Sequence, residues 1–205
     1  MLNNLILIEY ELIGGSLPKE KWIAEDIKNI LFQEKCNITN KKQLHTYFIL
    51  DTATRKRNMG ISDIDSISDQ GVTIRCLFND EDADNYEEAA PYIIGMTIYD
   101  TEEIDDSTVS DFHKDFFKDH WGKREGIFIR SYMSIDDLRN HLNSFIKIQD
   151  ENKKWYFFRF YDPYHFLTCM QMLTSEKVEN FFMNDLEILI PKRDKIQSVT
   201  LKGNI

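Results

Sequence analysis

One stretch constrains the fold of this chain more than any other: Trp155-Tyr156-Phe157-Phe158-Arg159-Phe160-Tyr161-Asp162-Pro163. An almost wholly apolar, aromatic run carries a single arginine and stops at an Asp-Pro pair. Its length suits a buried strand, and its aromatic content favours strand over helix. Asp162 is a good N-cap, because its carboxylate accepts the free N–H groups of a helix's first turn. Pro163 fits the first helical position, where a missing N–H costs nothing. The segment predicts a strand delivering directly into a helix, and such a unit organises a core.

The rest of the chain alternates in the same way. Strands are expected over 5–12, 47–50, 72–78, 92–98, 126–130 and 186–190, the last stopping at Pro191 before a basic, polar tail. A helix over 18–34 carries Trp22, Ile23, Ile27, Ile30 and Leu31 on one side. Others are expected over 109–119 and 164–172, with Ser134 and Thr174 each capping a further one. Residues 52–70, rich in Asp, Ser, Arg and Lys, read as an exposed loop with room for a helical turn, and the acidic segment after Phe78 reads as a loop. The pattern predicts one α/β (α+β-like) domain over residues 1–205, a mixed β-sheet packed by helices.

Charge is unevenly placed. The net charge is −10, yet eleven carboxylates and no Lys or Arg lie between Asp80 and Asp106, leaving the remainder close to neutral. Such a field disfavours nucleic acid, whose backbone needs Lys and Arg to replace counterions. It suits a solvated surface or the steering of a basic protein partner. No apolar run approaches the roughly 18 residues of a membrane helix, so no membrane insertion is expected. The first strand lacks the basic leader of a secretory signal, and three dispersed cysteines read as free thiols. The cytoplasm is the expected compartment.

Chemistry-bearing patterns are sparse. There is no nucleophile elbow, phosphate loop or dinucleotide fingerprint among the eight glycines. No metal or cofactor is expected: His113 and His120, seven residues apart, sit too far from one another to share an ion. Arg130 and Arg159 lie on strands expected to be buried, where a guanidinium must be paired. A structural pair with Asp51 or Asp162 is the plain reading, and an anion clamp built from both arginines is the functional one.

The ordered motifs resemble a known family. They are Tyr47-Phe48-Ile49-Leu50-Asp51-Thr52-Ala53, Cys76-Leu77-Phe78, Ala90-Pro91-Tyr92-Ile93 and Trp121-Gly122. After these come Gly126-Ile127-Phe128-Ile129-Arg130-Ser131, Ser134 to Leu142, Phe158-Arg159-Phe160-Tyr161-Asp162-Pro163, and Leu173-Thr174-Ser175-Glu176 followed by Phe181-Phe182. Over about 47–190 the chain resembles the adaptor-chaperones of bacterial type VI secretion systems, the Tap or Tec proteins. Family members commonly continue into a helical lobe beyond the last motif, and Thr52 stands where they carry Gly.

The resemblance implies a non-enzymatic role. Such a protein binds a toxic effector in the producing cell and helps load it onto the spike (VgrG) or the PAAR tip. Asp51, Arg130, Arg159, Asp162 and Pro163 are then structural. Partner contacts are expected on Asp80, Glu81, Asp82, Asp84, Glu87 and Glu88, on the 55–65 loop, and on exposed aromatics Tyr86, Tyr99 and Trp121. A second reading is an immunity protein that neutralises a basic toxin through the acidic segment. A third is an enzyme using the two arginines as its clamp.

Overall fold

The computed structural model describes residues 4–12, 25–32, 43–59, 64–86, 89–98, 109–183, 185–192 and 194–202. Nine strands are described: β1 (Leu5–Glu11), β2 (His45–Asp51), β3 (Ile74–Cys76), β4 (Pro91–Gly95), β5 (Gly126–Ser131), β6 (Lys147–Gln149), β7 (Trp155–Phe157), β8 (Glu187–Pro191) and β9 (Lys195–Leu201). Seven of them form one sheet in the order β1-β9-β8-β5-β2-β4-β3, and β6 and β7 form a separate ribbon. The pairings are antiparallel throughout. The α/β single-domain architecture is the expected one.

Helices cover both faces of the sheet. On one side α6 (Ile135–Asn143), α7 (Phe166–Met172) and α8 (Ser175–Phe181) pack on Tyr47, Ile49, Ile127 and Ile129. On the other, α1 (Glu25–Phe32), α3 (Ile64–Ser68) and α5 (Asp111–His120) pack on Phe48, Leu50 and Phe128. Successive residues of a strand point to opposite faces, so β2 and β5 feed both cores at once. Such strands read as continuous apolar runs rather than alternating ones. Phe128 lies 4.7 Å from Phe48 and 5.8 Å from Phe117, ring centre to ring centre. Each fully buried ring of this kind contributes about 1.5–3 kcal/mol.

Local signals act where they are written. Ser134 Oγ accepts from Asp137 N at 3.2 Å, and the same hydroxyl donates to Asp137 Oδ2 at 2.7 Å. Thr174 Oγ1 accepts from Lys177 N at 3.3 Å and starts α8. α5 ends at Trp121 because Gly122 takes φ +72°, the left-handed turn that closes a helix. Within α6, Arg139 Nε donates to Cys76 O at 2.7 Å, and Asn143 Nδ2 donates to Leu77 O at 2.7 Å. These bonds satisfy the irregular backbone that follows β3.

Four expectations are corrected. The aromatic run is not a buried strand: only Trp155–Phe157 is extended, in a surface ribbon with β6, and Trp155 is 61% exposed. Asp162 caps a turn rather than a helix beginning at Pro163. Its Oδ1 accepts from Tyr164 N at 3.0 Å, its carbonyl accepts from Phe166 N at 3.0 Å, and α7 starts only at Phe166. The 52–70 segment contains α2 (Thr52–Met59) and α3 rather than a loop. The tail after Pro191 forms β9, which joins β8 to β1. The expected helix over 18–34 is described only as α1; Trp22 and Ile23 lie outside the described residues.

Gly126 starts β5 against β2 with no room for a side chain. A Cβ there would overlap the carbonyl oxygen of Ile49 and press on the Phe48 ring. Backbone cannot yield as a flexible side chain would. Gly126→Ala is therefore expected to cost about 3 kcal/mol or more, read as a drop in the urea midpoint at unchanged slope, whereas Gly71→Asn is expected to cost far less.

Candidate functional site

The motif residues converge on the two ends of β2. At its far end the Asp51 carboxylate, fully buried, receives the Arg159 guanidinium and the Thr54 hydroxyl, the latter at 2.6 Å. Arg159 is raised above its ordinary value by the Asp51 charge and hydrogen bond, which outweigh a larger single opposing effect of burial. The Tyr161 phenol beside it is pushed upward, chiefly by burial and then by the Asp51 charge. Thr52 Oγ1 donates to Ala90 O at 2.7 Å and so ties α2 to the entry of β4.

Next to this pair lies a cluster that the sequence reading missed. Arg55 Nη1 donates to His120 Nε2 at 2.8 Å, and His120 Nδ1 is 2.7 Å from Glu125 Oε2. Because Nε2 is an acceptor, the ring proton sits on Nδ1 and is donated to Glu125; the imidazole is neutral. All three side chains are buried. Burial pulls His120 below its ordinary value, opposed by the Glu125 hydrogen bond and reinforced by the Arg55 charge. The arrangement has the look of a base and its orienting acid, but Arg55 occupies the nitrogen that would take a proton. It holds α2, α5 and the start of β5 together.

Arg130 sits at the other end. It lies opposite Thr46 on β2 and Glu187 on β8, and its Nη1 donates to Ile30 O at 3.0 Å. Thr46 Oγ1 donates to Leu31 O. The last carbonyls of α1 thus receive a hydroxyl and a cation, the charge favoured at a helix C-terminus. Arg159 meets Asp51, five residues further along β2 from Thr46, roughly 17 Å at the usual rise per residue. The structure does not bring the two arginines together as a clamp, and Arg130's partners are neither Asp51 nor Asp162.

The expected partner residues are dispersed. The acidic segment forms α4 (Asp80–Tyr86), not a loop. Asn79 starts it: its side-chain oxygen accepts from Asp82 N at 2.9 Å, and acids in a first turn suit the helix dipole. Asp82 is buried and meets Lys147 Nζ at 2.6 Å, so it faces inward. Trp121 is also buried, packed at a tilt against Phe117 and Phe128, and is no surface anchor. Arg55, placed on the expected interaction loop, is buried as described. The side chains of Asp80, Glu81 and Asp84 are outside what the structure describes, and Glu87, Glu88 and Tyr99 lie outside the described residues.

Tyr86 is exposed, and it belongs to a larger aromatic surface. Its ring meets Phe157 edge-on at 5.3 Å, and Phe157 stacks on Phe78 at 4.7 Å. Trp155 shares a ribbon face with Phe157, while Tyr156, also exposed, is on the other face with its hydroxyl 3.1 Å from Asp150 Oδ2. A mixed cleft of about 510 Å³ lies elsewhere, between the start of β2 and the N-termini of α5 and α6. Among the described residues its lining includes His45, Tyr47, Thr97, Phe112, His113 and Ser134, and holds no carboxylate, lysine or arginine. Burial pulls both histidines below their ordinary value. Among the described residues no helix is long and apolar enough to cross a membrane.

A helix-covered antiparallel sheet whose motif side chains are engaged with one another is the class these features define. The chain belongs to a family described as a domain of unknown function (DUF4123), which matches residues 46–180. No curated protein and no solved structure matches it.

Two outcomes follow for the buried groups. Arg159→Ala leaves the Asp51 carboxylate buried with only Thr54 for company, at a cost of about 3 kcal/mol. Asp51→Asn keeps an acceptor for Thr54 and frees a half-exposed arginine to water, so its cost is expected to be about half as large; equal losses in chemical denaturation would contradict this asymmetry. His120, His45 and His113 all have folded values below the unfolded one, so the unfolded chain takes up protons first. Stability is then complete well above pH 6.5 and falls as the pH drops through that value, by up to about 1.4 kcal/mol per pH unit for each of the buried rings of His120 and His113, and by less for the part-exposed His45, whose charge water screens. His120→Gln should flatten this slope between pH 7.5 and 5.5 in thermal melts.

Proposed function

We propose that this chain is a non-enzymatic adaptor-chaperone that binds a cognate type VI secretion effector in the cytoplasm and helps load it onto the spike (VgrG) or PAAR tip. The observation that carries the reading is the family match over residues 46–180, taken with the motif resemblance of the same region. The internal engagement of the motif residues supports it. Arg159 is bound to Asp51 and Arg130 to the end of α1, and beside them His120, outside the motifs, is bound to Arg55 and Glu125. A module whose motif builds its scaffold takes partner specificity from the remaining surface. The surface best suited to that is the α4–ribbon assembly, where Tyr86 and Trp155 are 51% and 61% exposed. Large aromatics that close a pocket on binding are the usual energetic centres of an interface.

Affinity purification of the tagged protein from its native bacterium, followed by mass spectrometry, tests the reading. Recovery of a large toxin together with a spike or tip component is the expected result. A toxin alone, inhibited on mixing, would transfer the weight to the immunity reading, and absence of any partner would overturn both. With the effector in hand, Trp155→Ala is expected to weaken capture by at least about tenfold while leaving the melting temperature unchanged.

A further inference from the structure

β1 is an edge of the seven-stranded sheet among the described strands. The direction of its backbone groups is fixed at both ends. Asn4 O accepts from Lys202 N at 2.8 Å, and Leu12 N donates to Asp194 O at 2.9 Å. Both bonds fall in the register that pairs Leu5 with Leu201 and Glu11 with Lys195. Bonded and non-bonded pairs alternate along an antiparallel ladder, so the even-numbered residues bond inward to β9. The N–H and C=O groups of Leu5, Leu7, Glu9 and Glu11 therefore point away from the sheet. Leu7, Ile8 and Tyr10 are exposed beside them, at 40%, 38% and 36%. Edges are normally blunted by charge, proline or a bulge, and the Leu5–Ile8 half of this one has none of these.

We propose that this edge pairs with the same edge of a second copy, making a two-fold dimer with a continuous sheet through an antiparallel β1–β1 junction. A two-fold axis at Ile8, the midpoint of the strand, overlaps its full length. It sets Leu7 against Glu9 and Leu5 against Glu11 of the second copy. All four of those residues point outward, so about eight backbone bonds form, close to the roughly ten of an ordinary interface. The non-bonded positions place Ile8 against its own mate and Ile6 against Tyr10, the closely spaced pairs whose side chains interact most. Charge fits as well. No carboxylate faces a carboxylate, and each Glu9 is already held by Lys192 at 3.2 Å and Lys195 at 2.9 Å on its own chain. Self-pairing of one patch is the isologous contact expected of a two-fold dimer. An extended strand from a different protein would need its own apolar residues at matching parity, whereas a second copy has them by symmetry.

Sedimentation velocity of the full chain is expected to give twice the chain mass. Proline at an outward position removes no ladder bond within the monomer, so Leu7→Pro is expected to give a monomer with an unchanged melting temperature. Ile8→Pro, at an inward position, should instead destabilise the fold. With Cys36, Cys76 and Cys169 replaced by Ser, Ile8→Cys should form a disulfide dimer on a non-reducing gel and Ile6→Cys should not. A wild-type monomer at about 100 µM, well above the micromolar Kd of a weak interface, would overturn the proposal. So would a Leu7→Pro dimer, or a wild-type dimer that Ile8→Cys fails to cross-link.

Discussion

Burial of the β2–β5 pair on both faces is the constraint on which the rest of the molecule depends. With helices above and below, a polar group on either strand reaches water only near the strand ends. Thr46, Arg130 and Asp51 occupy those ends, and each has a specific partner: the carbonyl of Leu31, the carbonyl of Ile30, and the Arg159 guanidinium. A buried polar group without its partner costs more than the bond itself returns. These residues therefore act as pins. They fix where α1 ends and where the segment after the ribbon crosses the sheet, because any other placement strands a charge or a hydroxyl in the core.

The same reasoning explains why the acidic segment is not a simple surface tail. Asn79 caps it, its acids fall in a first helical turn, and Asp82 is drawn inward by Lys147. One of its carboxylates is spent on holding α4 against the β6–β7 ribbon. Phe157 fills the space between them, stacked on Phe78 and touched by Tyr86. Asp82 and the ribbon aromatics thus belong to one assembly, with Tyr86 and Trp155 exposed on it.

How much of this the sequence disclosed depended on whether the signal was local. Ser134 and Thr174 cap the helices that follow them, and β2 and β5 are continuous apolar runs; all are legible from a few neighbouring residues, whereas the sequence leaves Asp51 and Asp162 both open as partners of Arg159 and only the fold selects Asp51. The aromatic run does not read correctly from sequence because its first three residues pair with β6, Lys147-Ile148-Gln149, leaving Trp155 and Tyr156 exposed and Phe157 packed against Phe78 at the core's edge. Only Phe158, Phe160 and Tyr161 enter the core. Nothing in the run separates those halves; the turn at Asp150, whose Oδ1 accepts from both Asn152 N and Lys154 N at 2.9 Å, does so. β9 is not legible because Gln197, Ser198 and Thr200 read as a polar tail until pairing with β8 and β1 on either side buries them. Arg55, His120 and Glu125 carry no spacing signal at all, since one lies on α2 and the others flank the end of α5. Trp121 was misjudged for a related reason: it follows a helix, and only the Gly122 turn shows that it folds back under Phe128.

A consequence follows for any reading of function from the motifs alone. Side chains that look catalytic on a strand list, two arginines, a histidine and several acids, are each engaged by a neighbour in the folded chain. The two arginines stand apart along β2 and Arg55 occupies His120 Nε2, so these particular groups form neither a shared anion clamp nor a free base. What the motifs specify is a rigid platform with a helix-held ribbon on one side. On the adaptor-chaperone proposal, recognition rests on residues the motifs do not fix. In this chain those include Trp155 and Tyr86 on the ribbon side, and the unblunted half of β1 at the opposite end of the sheet order from β3. Two surfaces belonging to different elements can be occupied together, so pairing of two copies through β1 leaves the ribbon of each free to hold its own partner.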